Sequence, residues 1–186
     1  MKKVYTSDLH LFHNSDFIVK RRGYTSIEDM HIGMVDIWNK NVDPEDEVYI
    51  IGDVALPKAA QIDECNRILK NLNGFKFLIK ANHDNEKLLK KIGHNFIWVK
   101  DRHIVKEQDG DKKQSLFLDH YPILTWERAH HGIWQLHGHC HGSLHKEYES
   151  TRLDVGWDVW GKPITFQDIK EAMKDKKYVV VDHHGE

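Results

Sequence analysis

The chain has 186 residues, a formal net charge of -2 and 30% charged side chains. That length suits a single domain over residues 1–186 with a real core. No apolar run is long enough to span a bilayer, and the charge balance argues against a dominant nucleic-acid footprint while leaving room for a local basic patch. Met1-Lys2-Lys3 is followed by only Val4-Tyr5 before polar residues, so no signal-peptide core is expected. Two cysteines, Cys65 and Cys140, suit a reducing cytoplasm rather than a disulfide framework. The unusual number is 15 histidines, which asks for a chemical explanation.

Taken in order, Lys3-Val4-Tyr5-Thr6-Ser7 reads as a first strand ending at Asp8-Leu9-His10, with His13 and Asn14 close behind. A carboxylate and an imidazole two residues apart can chelate one ion, although a lone pair of this kind is more often an ordinary turn. Lys20-Arg21-Arg22-Gly23 is a basic loop whose arginines suit bidentate phosphate contacts. Ser26 caps a helix carrying Met30, Met34, Ile37 and Trp38 at core spacing. Glu47-Val48-Tyr49-Ile50-Ile51 is a strand covered on both faces that runs into Gly52-Asp53. A helix from Ala60 to Leu72 turns Ile62, Cys65, Ile68, Leu69 and Leu72 inward, so Cys65 reads as a small buried hydrophobe.

Phe75 to Ile79 is the next strand, and it ends in Ala81-Asn82-His83-Asp84. A short helix from Asn85 to Ile92 stops at Gly93. Strands follow at Phe96 to Val99, Arg102 to Lys106 and Gln114 to Leu118, the last ending at Asp119-His120-Tyr121-Pro122. Ile133-Trp134-Gln135-Leu136 is a buried strand that delivers His137-Gly138-His139-Cys140-His141-Gly142. In an extended segment alternate side chains share a face, so His137 and His139 can enter one site and His141 can follow. Neutral imidazole is the commonest metal ligand, and two imidazoles need oxygen or nitrogen partners from elsewhere in the chain. A helix from Phe166 to Met173 and a strand from Tyr178 to Val181 complete the expected elements, with His183 and His184 as solvent-exposed tail residues. Gly156 to Lys162 has phosphate-loop spacing, but Pro163 stands where Ser or Thr is needed, and the loop's tryptophans and Asp158 oppose an anion. Neither a Ser nor a Cys nucleophile signature is present.

Five polar clusters therefore follow five apolar runs, as D-x-H, G-D, N-H-D, H-Y-P and G-H-x-H. In that order they resemble the calcineurin-like metallophosphoesterase family, over Asp8 to His139, and most of all its short, uncapped bacterial and phage members. The tail Val155-Gly156-Trp157-Asp158-Val159-Trp160 is similar too. The resemblance implies an α/β fold of two mixed β-sheets packed as a sandwich and flanked by helices. It implies two divalent metal ions, with Asp8, His10 and His139 on the first, Asn82, His120 and His137 on the second, and Asp53 bridging. His83 would face the substrate as catalytic acid, with Asp84 orienting it. Three departures stand out: Ala81 replaces the usual Gly, Asp119 precedes His120, and Cys140 fills the variable slot of G-H-x-H, where it reads as structural.

The chemistry agrees with that assignment. A bridging carboxylate holds two cations roughly 3.5–4 Å apart, a spacing that clamps an in-line displacement at phosphorus. The water they share would be the nucleophile. Imidazole, carboxylate and amide ligands suit manganese, with iron, nickel or zinc as alternatives. The expected activity is hydrolysis of small, nucleotide-like phosphate mono- or diesters in the cytoplasm, with Arg21, Arg22 and His13 contacting substrate. The alternatives are a nuclease acting on nucleic-acid ends, or a non-catalytic binding module on the same fold.

Overall fold

A computed structural model describes residues 1–146 and 150–181; the expected tail residues His183 and His184 lie outside that range. Among the described residues nine strands form two sheets. The first contains β1 (Lys3–Thr6), β2 (Glu47–Ile50), β3 (Phe75–Ile79), β4 (Trp98–Lys100) and β9 (Ile164–Thr165), in the order β4-β3-β2-β1-β9. The second contains β5 (His103–Asp109), β6 (Lys112–Leu118), β7 (Trp134–His137) and β8 (Arg152–Asp154), in sequence order. Strands β1 to β4 run parallel and β9 antiparallel to β1. In the second sheet β5 and β6 form an antiparallel hairpin, whereas β6, β7 and β8 are parallel. Both sheets are thus mixed, and the expected α/β architecture is present at this level.

The two-residue period of a strand sorts the core. Val4, Val48, Ile50 and Leu78 face the helices α2 (Ile27–Asn41), α3 (Ile62–Asn71) and α4 (Glu86–Ile92), together with Met30, Trp38 and Leu69. Their neighbours Tyr5, Tyr49, Ile51 and Ile79 turn to the opposite face and pack on Val105, Leu116, Leu118 and Leu136 of the second sheet. The apolar first-sheet strands are therefore buried on both sides. Ser26 accepts a hydrogen bond from Asp29 N at the start of α2, and Thr165 closes a reciprocal capping box with Asp168 at the start of α6 (Phe166–Met173). Cys65 is fully buried, which pushes its thiol up to about 12 and leaves it inert.

Some elements differ from expectation. Tyr178 to Val181 forms no strand: Val179 to Val181 are exposed, and the Val179 N–H donates to the Ser150 hydroxyl rather than to a sheet edge. β-branched residues lack a reason to extend where no neighbouring strand accepts them. The four-residue helix α1 (Asp16–Val19) and the two-residue strand β9 are too short to leave a periodic signature. Because β1, β2 and β3 are parallel, as are β6 and β7, the polar clusters that follow them emerge along a common edge of the sandwich.

Candidate metal centre

The residues after β1, β2 and β7 leave extended geometry at once. Asp8, His10, Asp53, His139 and His141 all have positive φ and make up five of the seven such non-glycine residues described. Backbone of that kind persists only where its surroundings over-determine it, and it concentrates at functional sites. The surroundings here are cross-ties. Asp8 N and His10 N donate to the carbonyls of Gly52 and Asp53, and His139 N donates to the Asp8 carboxylate. Two glycines permit the closeness. A Cβ at Gly52 would stand 2.6 Å from His120 Nδ1 and strike the Ala81 methyl, and one at Gly138 would run into Ser7 and Asp8. Ala81 thus packs directly under the Gly52 turn.

Two groups of candidate ligand atoms result, Asp8, His10 and His141 in one and Asp53, His120 and His139 in the other. His10 Nε2 lies 3.7 Å from Asp8 Oδ1, and His141 Nε2 lies 3.9 Å from the same oxygen. Asp53 Oδ2 joins the groups, at 3.6 Å from His10 Nε2 and 3.5 Å from His120 Nε2. These separations are too long for good hydrogen bonds. They suit ligand atoms each about 2.0–2.2 Å from a shared cation. His10 Nε2 and His120 Nε2 are buried and have no hydrogen-bond partner, which is costly for a nitrogen that meets nothing. The donor set and its orphaned atoms therefore fit divalent metal.

Partners behind the ring nitrogens set the tautomers. His120 Nδ1 lies 2.8 Å from the Ile51 carbonyl, which can only accept, so its Nε2 carries the lone pair. His141 Nδ1 lies 2.6 Å from Asp158 Oδ2, with the same consequence. Burial opposes the charges of Asp8 and Asp53, yet the imidazoles beside them hold both carboxyls below the ordinary range. Burial likewise opposes the charged form of His120, and Asp53 outweighs it and raises the imidazole. His139 is lowered by burial and then by His120.

The expected residues divide as follows. Asp8, His10, Asp53, His120 and His139 come together. Asn82 is exposed at the mouth, where its amide oxygen accepts from the Tyr121 hydroxyl at 3.3 Å, and the Tyr121 ring rests on His139 and His120. His13 is half-buried beside the cluster, its Nδ1 3.2 Å from that of His10; burial, then His10 and His83, lower its pKa. His83 donates its backbone N–H to Asp53 Oδ1 and sets its ring 5.6 Å from that of His10.

Four placements correct the expectation. His137 belongs to neither ligand group; it is buried, with Nδ1 2.9 Å from the Gly138 carbonyl. His139 instead joins Asp53 and His120, and His141 takes the place beside Asp8 and His10. The physical reason is that the chain leaves the strand after His137, so side-chain alternation no longer applies to the residues beyond. Asp84 does not hold the His83 ring. It is buried and accepts the backbone N–H groups of Asp53, Val54 and Ala81 at 2.8–3.1 Å, which ties the second and third clusters together. Arg22 is not free for phosphate. Its guanidinium pairs with both oxygens of Asp158 and donates to the Leu9 and Asp8 carbonyls. Arg21 donates to the His141 carbonyl and lies over the Phe17 ring at the rim.

In sequence Asp158 reads only as hostile to an anion, and the structure makes it the support of His141. Burial works against its charge, but Arg22 and His141 hold its carboxyl well below the usual range. Both Arg22 and Asp158 side chains are almost fully buried, at 4% and 1% exposure. Arg22→Met is therefore expected to destabilise the fold by about 3–5 kcal/mol, the cost of stranding one member of a buried pair. Urea unfolding measures it, and a loss under about 1 kcal/mol would mean the pair is dispensable.

No family model matches the chain. It is 31% identical over 186 residues to the uncharacterized protein MJ1445 of Methanocaldococcus jannaschii, covering 96% of each chain. The chain belongs to that protein's family. The gene 66 protein of Mycobacterium phage D29 is 25% identical over 194 residues, with 92% of this chain and 95% of the phage protein covered. The gene 66 protein of Mycobacterium phage L5 is 22% identical, with 91% and 92% covered. The crystal structure of the protein of unknown function AQ665 from Aquifex aeolicus shares the fold, with a TM-score of 0.68, 22% identity, and 92% and 98% of the two chains covered.

Proposed function

We propose that this protein is a dinuclear metal-dependent phosphoesterase of the calcineurin-like metallophosphoesterase type, acting on small, nucleotide-like phosphate mono- or diesters. One observation carries the reading: a single carboxylate oxygen, Asp53 Oδ2, lies 3.6 Å and 3.5 Å from two buried imidazole nitrogens that have no other partner. That arrangement supports two cation positions sharing one bridging ligand. Asp8, His10 and His141 would hold the first ion and His120, His139 and Asn82 the second, with manganese favoured and iron, nickel or zinc also suited to the donors. When bound, such a pair supplies Lewis acidity and an activated water for in-line displacement at phosphorus. The mixed two-sheet sandwich with flanking helices is in keeping with the metallophosphoesterase fold.

The chain's own groups do the rest. Ile51 and Asp158 fix the imidazoles of His120 and His141 in the ligating tautomer. Asp84 fixes the turn that carries Asp53. His83 has its backbone committed to Asp53 and no hydrogen bond on its ring among the described residues, which leaves the ring free to move a proton at the leaving oxygen. Metal-stripped and manganese-reconstituted protein, assayed on nitrophenyl phosphate, bis-nitrophenyl phosphate and nucleotides, tests the reading. Hydrolysis is expected only after reconstitution. A protein that carries two ions and turns over none of the panel would be a binding module instead.

A further inference from the structure

His83 belongs to two places at once. Its backbone and ring adjoin the ligand cluster, and its side also lines a cavity of about 330 Å³ between the segment after Asp53 and helix α4. That is the size at which pockets for small organic ligands begin. One wall is apolar, made by Leu56, Pro57, Ile62 and Leu88. The charged lining is of one sign, Lys87 and Lys91, with no carboxylate among the lining residues. The two lysines are four residues apart on α4 and so lie on the same side of the helix, where like charges repel. Neither forms an ion pair among the described residues. A larger cavity of about 810 Å³ between α2 and α3 is mainly acidic, with Glu28, Asp36, Asp63 and Glu64 on its walls against Arg67, which pairs with Glu64, and its net charge would oppose a phosphate.

We infer that the cavity beside His83 receives the leaving group of the phosphoester, and that this group carries a flat ring, whose faces suit an apolar wall, and an anion of its own, as a nucleoside monophosphate does. The inference rests on the phosphoesterase reading. In the reaction the P–O bond to the leaving oxygen breaks, with its electron pair remaining on that oxygen. A P–O bond forms to a water oxygen, and the proton the water gives up is balanced by the one the leaving oxygen receives through His83. The oxygen that accepts from His83 must lie beside it, so the group attached to that oxygen extends into the cavity His83 lines. There the ring meets Leu56, Pro57, Ile62 and Leu88, and the second phosphate meets Lys87 and Lys91. The site thus selects for an ester whose departing half is itself phosphorylated.

The test compares the wild type with Lys87→Gln/Lys91→Gln, both positions being exposed on a helix that tolerates Gln. Isothermal titration of thymidine monophosphate into the full-length protein, with and without manganese, reads binding apart from turnover. The variant is expected to bind about tenfold more weakly, the size expected for two partly exposed charge contacts. In the turnover arm, a thymidine dinucleotide with a terminal phosphate on its departing nucleoside is compared with the same dinucleotide lacking it. The ratio of the two kcat/KM values is taken within each protein, so any general change in activity cancels. It is expected to be about ten in the wild type and near one in the variant. Equal binding and equal ratios in the two proteins overturn the inference and leave the phosphoesterase reading standing, provided bis-nitrophenyl phosphate is hydrolysed. If no ester is hydrolysed by manganese-loaded wild type, the phosphoesterase reading fails and the leaving-group role with it.

Discussion

Protein reconstituted with manganese is expected to hold two ions per chain, and Asp53→Asn is expected to lower that number below one. Each of the other candidate ligand side chains belongs to one group only. Asp8 and His141 face only the first group, His139 only the second. Asp53 Oδ2 alone stands within 3.6 Å of a ring nitrogen from either group. Its charge also outweighs the burial of His120 and raises that imidazole's pKa. An Asn keeps the volume and can keep an oxygen toward the His83 N–H, so the turn should survive. The neutral amide then brings an N–H₂ or an uncharged oxygen where a carboxylate is needed. Loss of an outer partner already costs about ten- to a hundredfold in metal affinity, and a bridging ligand should cost more than the upper end of that range. Asp8→Asn serves as the comparison, since it should remove one ion and spare the other. Metal analysis of dialysed protein decides the matter. Two ions retained by Asp53→Asn, or fewer than two in the wild type, would sink the dinuclear assignment.

Strands β1 to β3 were legible because their apolar runs are covered on both faces, and the clusters at their ends were legible because parallel neighbours bring those ends together. The choice of Asp8, His10, Asp53, His120 and His139 within those clusters rests on the resemblance to the metallophosphoesterases, which puts His139 beside Asp8 and His10 rather than with Asp53 and His120. What failed was geometry beyond the strand. Treating His137 as the first ligand assumed that the extended backbone continued, whereas the residues after Gly138 turn with positive φ and move the useful register on by two. The signal was present in the sequence: if Cys140 is the variable residue of G-H-x-H, the flanking histidines are His139 and His141. Arg22 and Asp158 were unreadable for a different reason. They lie 136 residues apart, and a buried ion pair between distant loops leaves no local pattern. Asp84 was misread because adjacency to His83 suggested a side-chain partner, while the fold spends that carboxylate on three backbone N–H groups. Tyr178 to Val181 shows the converse, a strand-like composition that pairs with none of the described strands.

His83→Ala is expected to keep both ions and its fold, and to lose about a hundredfold to ten-thousandfold in kcat, the range for removal of a general acid. The structural cost should be small. The one hydrogen bond His83 makes to the cluster comes from its backbone N–H, which alanine retains. Its half-buried ring has no hydrogen-bond partner among the described residues, so truncation strands nothing. The catalytic cost should be large because the departing oxygen must gain a proton, and the His83 ring, 5.6 Å from that of His10, also lines the neighbouring cavity. The defect should therefore depend on the leaving group. It should be severe for an alcohol and should nearly vanish for a nitrophenolate, which departs without help. Asp84→Asn gives the contrast. Asn has one acceptor where Asp84 presents two oxygens to three N–H groups, so the variant should loosen the Asp53 turn, weaken metal binding, and slow all substrates alike. Rates of the two variants on paired nitrophenyl and alkyl esters, with metal content measured on the same samples, separate the roles. A His83→Ala protein that loses metal, or whose defect is the same for good and poor leaving groups, would show that His83 only shapes the loop.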